Sequence, residues 1–145
     1  MSTLLIIDDD IAICRTLQLH YSSMSHHVIT AHSVNDGLLA AASNEIDLII
    51  LDNQMPNKSG LESLPDFREV VPGTPIIMIT AYHDMEPTIA AMQNGADDYI
   101  HKPVDINELD QAVERTLIRS NEENTNLSIP EEDSNKTQNN QNRMA

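Results

Sequence analysis

Three unbroken apolar runs, Leu4-Leu5-Ile6-Ile7, Leu48-Ile49-Ile50-Leu51 and Ile76-Ile77-Met78-Ile79, constrain this chain more than any other feature. A strand with one wet face alternates apolar and polar residues, whereas an unbroken run suits a strand covered on both faces, as in a parallel sheet between helices. Val28–Ala31 and Tyr99–Ile100 are weaker strand candidates. The segments between them carry helical periodicity. Ile13, Leu17 and Met24 share a face of the first, and Val34, Leu38, Ala41 and Ala42 a face of the second. Leu61, Leu64 and Phe67 do so in the third, Ile89 and Met92 in the fourth, and Leu109, Val113 and Leu117 in the fifth.

Local punctuation supports these boundaries. Ser33 with Asp36, and Asp105 with Glu108, have the spacing of capping boxes. Gly95 stands where the fourth helix needs a left-handed C-terminal residue, and Pro87 falls in that helix's first turn. Pro65 implies a third helix that starts late or kinks. The reading is an α/β domain, (βα)5, with a doubly wound parallel five-stranded sheet and any site at the carboxyl ends of its strands. It occupies residues 1–118. Residues 119–145 are rich in Asn and Gln and poor in apolar side chains, and read as a disordered polar tail or linker stub.

Composition narrows the function. With 8 Lys and Arg against 23 Asp and Glu, the formal net charge is -15. That sign argues against direct nucleic-acid binding and against an anionic membrane surface. No apolar run approaches the roughly 20 residues of a membrane span, and no export signal opens the chain. Cys14 is the single cysteine, so an intrachain disulfide and a multi-cysteine zinc site are both excluded. The expectation is a soluble cytoplasmic protein that prefers cationic partners.

The carboxyl ends of the strands carry the chemistry. Strand one runs into Asp8-Asp9-Asp10, strand three ends in Asp52, strand four in Thr80, and strand five leads to Lys102-Pro103. Asp10 alone reads as a helix cap. Together, however, the acids of neighbouring strands one and three would crowd one crevice and repel unless a cation intervenes. Mg²⁺, a hard ion that keeps several of its waters, suits such a site. Lys102 adds a point charge for a phosphate oxygen, and Thr80 a hydroxyl donor. A carboxylate nucleophile, Mg²⁺, lysine and hydroxyl together make a phosphoryl-transfer site.

At this point the chain resembles the receiver (CheY-like) domains of two-component response regulators over residues 3–118. The matching motifs are Asp8-Asp9 after an apolar strand, Asp52 within Leu51-Asp52-Asn53-Gln54-Met55-Pro56, and Thr80-Ala81. The last is Gly95-Ala96-Asp97-Asp98-Tyr99-Ile100-His101-Lys102-Pro103. The stretch from Ile79 to Glu86 and the segment Tyr99–Pro103 look most like the NtrC-type receivers of sigma-54 activators. Those usually precede an AAA+ ATPase and a DNA-binding domain, and this sequence contains no Walker-type loop. The expectation is therefore a single-domain regulator or the front of a longer one.

The resemblance implies a flavodoxin/CheY-like strand order of 2-1-3-4-5 and a role for each motif. Asp52 is the phosphoacceptor, taking its phosphoryl group from a phosphohistidine on a sensor histidine kinase. Asp9, Asp52 and the backbone carbonyl of Gln54 bind Mg²⁺ directly, and Asp8 acts through water. Lys102 pairs with Asp52 and later with a phosphoryl oxygen, across a cis Lys102–Pro103 bond. Thr80 and Tyr99 form the switch that reshapes the surface of the fourth helix, fifth strand and fifth helix. An output domain or effector, a phosphorylation-dependent homodimer and control of transcription are further implications. The domain would not be a turnover enzyme, with only Mg²⁺-dependent self-phosphorylation and slow autodephosphorylation. Gln54 and Tyr82, two residues beyond Asp52 and Thr80, are expected to tune the phosphoryl group's lifetime. Asn53 is polar where receivers more often carry an apolar residue.

An alternative is a haloacid-dehalogenase-like phosphatase with Asp8 as nucleophile, Asp10 as partner acid, and Thr80 and Lys102 in support. It leaves Asp52 without a task, and its late acids, Asp97 and Asp98, precede the lysine where they should follow it. The six histidines lack metal-ligand spacing, and Cys14 reads as a small buried hydrophobe.

Overall fold

A computed structural model describes residues 1–81 and 95–128, with 123–128 as backbone alone. Five strands form one parallel sheet: β1 (Thr3–Ile7), β2 (His27–Ala31), β3 (Leu48–Asp52), β4 (Ile76–Ala81) and β5 (Asp98–Lys102), in the order β2-β1-β3-β4-β5. The expected order and parallel pairing are both present. The described helices are α1 (Ile11–Ser23), α2 (Val34–Ser43), α3 (Gly60–Val70) and α4 (Ile106–Ser128). The expected fourth helix, with Pro87, Ile89 and Met92, lies outside the described residues, as does Tyr82. The helix expected as the fifth is thus α4.

The apolar runs fill both faces as their lack of alternation requires. Leu5, Ile7, Ile49, Leu51, Ile76 and Met78 pack with Val34 and Ala41 of α2 and with Leu64 and Phe67 of α3. Leu4, Ile6, Leu48, Ile50, Ile77, Ile79 and Ile100 pack with Cys14, Leu17 and Tyr21 of α1 and Leu109, Ala112 and Val113 of α4. Successive strand residues face opposite sides, so each run serves two cores at once. Residues on β1, β3 and β4 are almost wholly buried, whereas the edge strands β2 and β5 have mixed exposure.

Several details differ from the sequence reading. On α1 the buried positions are Cys14, Leu17 and Tyr21, while Met24 is an exposed C-cap residue. The helix has ended by then, so its stripe cannot continue. On α2, Val34, Gly37 and Ala41 are buried and Leu38 is partly so, but Ala42 is exposed. Pro65 neither delays α3 nor truncates it, and lies exposed inside the helix. Helix α4 continues ten residues past the expected boundary, so residues 119–128 are helical and not a disordered tail. The apolar stripe stops, but nothing between 119 and 128 breaks a helix. The rest of the expected tail, 129–145, lies outside the described residues.

Candidate functional site

Register gathers the site. Ile7 pairs with Leu51, so the next residues, Asp8 and Asp52, emerge side by side at the carboxyl end of the sheet. Asp52 pairs with Ile79, which places Thr80 one step beyond it on the adjoining strand. Lys102 pairs with Ala81 and reaches back across β4. Its Nζ lies 3.0 Å from Asp52 Oδ1 and 3.5 Å from Gln54 Oε1. The contact with Asp52 is an ion pair on an almost wholly buried carboxylate. The Lys102–Pro103 peptide is cis, as expected.

One carboxylate oxygen from each of Asp8, Asp9 and Asp52 lies within 4.8 Å of the others. Asp8 and Asp52 are 3% and 2% exposed, while Asp9 is open to solvent. Burial drives the electrostatics. It pushes the Asp8 carboxyl up to about 6, with Asp52 and Asp9 adding to the rise and the Asp10 N–H and Lys102 opposing it. Asp52 is also raised by burial, and pulled back by Lys102 and the Gln54 N–H. Three acids against one ammonium leave excess negative charge in a water-poor crevice, which is the donor set and charge a hard divalent cation requires. These acids therefore fit a metal.

Neighbouring elements hold the acids in place. Asp8 Oδ1 accepts the Asp10 N–H at 2.9 Å, and Asp10 in turn caps α1 by accepting from the Ala12 and Ile13 N–H groups. The Asp8 carbonyl receives the Cys14 thiol at 3.3 Å and sits 3.1 Å from His32 Nδ1. Cys14 is buried and its thiol is pushed up to about 11 by burial, so it is a structural group and not a nucleophile.

Beyond Asp52, Asn53 Oδ1 accepts the Leu61 N–H at 2.8 Å, and the Asn53 carbonyl accepts from Gly60 at 3.1 Å. The unusual polar residue thus ties β3 to the start of α3. Ser59 and Glu62 form a full capping box there. A Cβ on Gly60 would stand 2.5 Å from the Asp52 carbonyl oxygen, so only glycine lets α3 approach this closely. These supporting residues escaped the sequence reading. The Ser-x-x-Glu spacing at 59–62 was visible; the contacts of Asn53, Gly60 and His32 depend on the fold.

The switch candidates occupy the same end of the sheet. Thr80 is fully buried, with Oγ1 3.4 Å from His101 Nδ1. Tyr99 is 36% exposed and its ring meets that of His101 edge-on at 5.2 Å. Asp97 and Asp98 are engaged elsewhere. Asp97 accepts the Ile76 N–H and pairs with Arg68 at the opposite end of the sheet, and Asp98 pairs with Arg115. Neither is placed to serve Asp8 as a late acid, so the phosphatase alternative fails on geometry.

The response regulator receiver domain model matches residues 4–114. The chain belongs to this family. Response regulator ArlR of Staphylococcus aureus is 42% identical over 109 residues, which cover 75% of this chain and 49% of that protein. Transcriptional regulatory protein ZraR of Salmonella typhimurium, an NtrC-type relative, is 30% identical over 124 residues, 86% of this chain and 28% of that one. The chain thus spans half or less of the curated relatives it matches. A CheY-like receiver domain from Methanospirillum hungatei superposes with a TM-score of 0.80 at 28% identity, covering 85% of this chain and 98% of the other. This receiver domain places its acidic crevice, lysine and buried threonine at the carboxyl edge of β1, β3, β4 and β5.

Proposed function

We propose that this receiver domain accepts a phosphoryl group on Asp52 from a phosphohistidine of a sensor histidine kinase. The observation that carries this is the buried Asp52 carboxylate held by Lys102 beside Asp8 and Asp9. A carboxylate oxygen of Asp52 forms the bond to phosphorus as the phosphorus–imidazole bond breaks, and the electron pair leaves with the imidazole nitrogen. Asp9, Asp52 and the Gln54 carbonyl would hold Mg²⁺, with Asp8 acting through water. Bound there, the ion would neutralise charge on the transferring phosphoryl oxygens. Lys102 sheds its contact with the unmodified carboxylate and pairs with a phosphoryl oxygen, so the same ammonium orients both states. Thr80 donates its hydroxyl to a second oxygen. Positioning and charge supply the catalysis, and turnover is confined to self-phosphorylation and slow self-hydrolysis.

The output is a population shift, in which phosphate favours whichever arrangement binds it better. Tyr99 lies at the surface and marks the face that changes, and that face would meet a second copy, an output domain or an effector in transcription control. Among the described residues no helix is long and apolar enough to cross a membrane. We place the protein in the cytoplasm, with its kinase.

Incubation with acetyl phosphate and Mg²⁺, followed by intact mass measurement, tests the reading. One acid-labile phosphoryl group is expected, dependent on Mg²⁺ and absent in Asp52→Asn. Equal uptake by that variant would overturn the assignment.

A further inference from the structure

Asp8 leaves β1 between two neighbours. Ile7 pairs with Leu51 on one side and with Ala31 on the other, so Asp8 emerges flanked by Asp52 and His32. One of its carboxylate oxygens belongs to the acid cluster with Asp9 and Asp52, all within 4.8 Å of one another. Its carbonyl oxygen is held from the other direction, by His32 Nδ1 at 3.1 Å and the Cys14 thiol at 3.3 Å. A carbonyl only accepts, so this contact requires the hydrogen on Nδ1. The Asp8 N–H donates to the Ala31 carbonyl at 3.0 Å, and Oδ1 accepts the Asp10 N–H at 2.9 Å. Asp8 is thus tied through its N–H, its carbonyl and its carboxylate. These ties have an opponent. Three carboxylates at this distance repel, and a turn free to move would let them spread apart. Cys14 is buried in a core, whereas His32 stands exposed beyond β2, where its ring adds a hydrogen bond and little packing.

We propose that His32 is a positioning residue for the acid crevice: with Cys14 it anchors the Asp8 peptide, so that the three carboxylates stand at cation-binding distance before any cation arrives. The inference rests on the crevice binding Mg²⁺. Outer partners that fix a ligating residue raise affinity by orienting it. A site assembled beforehand also binds its ion without the cost of drawing repelling acids together. Loss of the His32 donor should therefore weaken Mg²⁺ binding, although His32 itself stays outside the coordination sphere.

Two variants separate the donor from the ring. His32→Phe keeps a ring and loses the donor, whereas His32→Asn loses the ring and keeps an N–H near the Nδ1 position. Each is titrated with Mg²⁺ while the backbone amide resonances of Asp8, Asp9 and Asp10 are followed by NMR, and urea midpoints are measured without metal. The Mg²⁺ Kd is expected to rise about fivefold in His32→Phe, the scale of one lost hydrogen bond, and to return to within about twofold of the parent in His32→Asn. The Mg²⁺ concentration giving half-maximal uptake from acetyl phosphate should rise in step in His32→Phe. A lower urea midpoint with parent-like Mg²⁺ affinity in that variant would mean a purely structural bond and overturn the proposal. A His32→Asn protein as weak as His32→Phe would overturn it too, because the ring and not the donor would then matter. Absence of saturable Mg²⁺ shifts in the parent would instead sink the metal reading of the crevice, and the inference with it.

Discussion

Asp8 is ionised at neutral pH only at a cost to the fold. Its carboxyl rises from 3.8 to about 6 because it is buried with a second acid beside it. Between those values the folded chain binds more protons than the unfolded one, so stability falls as pH rises through that window. Above pH 6 the full penalty is present, on the order of 2–3 kcal/mol. Urea midpoints of the metal-free protein should therefore decline from pH 4 to pH 6.5, and the decline should be much reduced in Asp8→Asn. Excess Mg²⁺ should restore stability most strongly at the upper end, where the acids are charged and the cation binds the folded state. Identical profiles for the two proteins would remove burial as the source of the shift.

At the scale of elements, the β3–α3 junction holds Asp52, the proposed acceptor, in position. Gly60 lets the helix start against the Asp52 carbonyl, while Asn53 and the Ser59–Glu62 box satisfy N–H groups that open the helix. Gly60→Ala should cost about 1–3 kcal/mol, because the backbone it meets cannot swing aside. It should also slow uptake from acetyl phosphate by moving the acceptor. Gly73→Ala is the control: its Cβ meets nothing within 4 Å, and its urea midpoint should stay close to that of the parent. The junction also shows where the sequence was readable. The strands were legible because an apolar run with no polar break has few other places to go. Asp8 and Asp52 were legible because each directly follows such a run, whereas Lys102 stood out only through the motif around Lys102-Pro103. Packing chemistry was less legible. Tyr21 was passed over for Met24, yet it is fully buried. Asn53 looked out of place until α3 supplied its donor. The length of α4 was misjudged because polar composition was taken as a stop signal.

At the scale of the whole molecule, the acid crevice opens sideways into a groove of about 650 Å³ between α1 and the segment joining β5 to α4. Asp8 and Lys102 belong to both crevice and groove, and Ile13, Leu17, Pro103 and Val104 add apolar lining. On the proposed function, a small donor such as acetyl phosphate needs only the crevice, whereas a protein donor that docks along the groove would bring its phosphohistidine to Asp52. The two donors should therefore respond differently to a change in the groove that spares the crevice. Thr16 lines the groove from an exposed position on α1, so Thr16→Glu should fold as the parent does while placing a charge where an apolar surface would dock. Transfer from a phosphorylated kinase is expected to fall at least about fivefold, or roughly 1 kcal/mol of lost docking, with uptake from acetyl phosphate unchanged. Equal loss with both donors would mean that the substitution disturbs the crevice itself. Full retention with the kinase would mean that the protein donor approaches from another side, because a buried charge on a true docking face cannot go unnoticed.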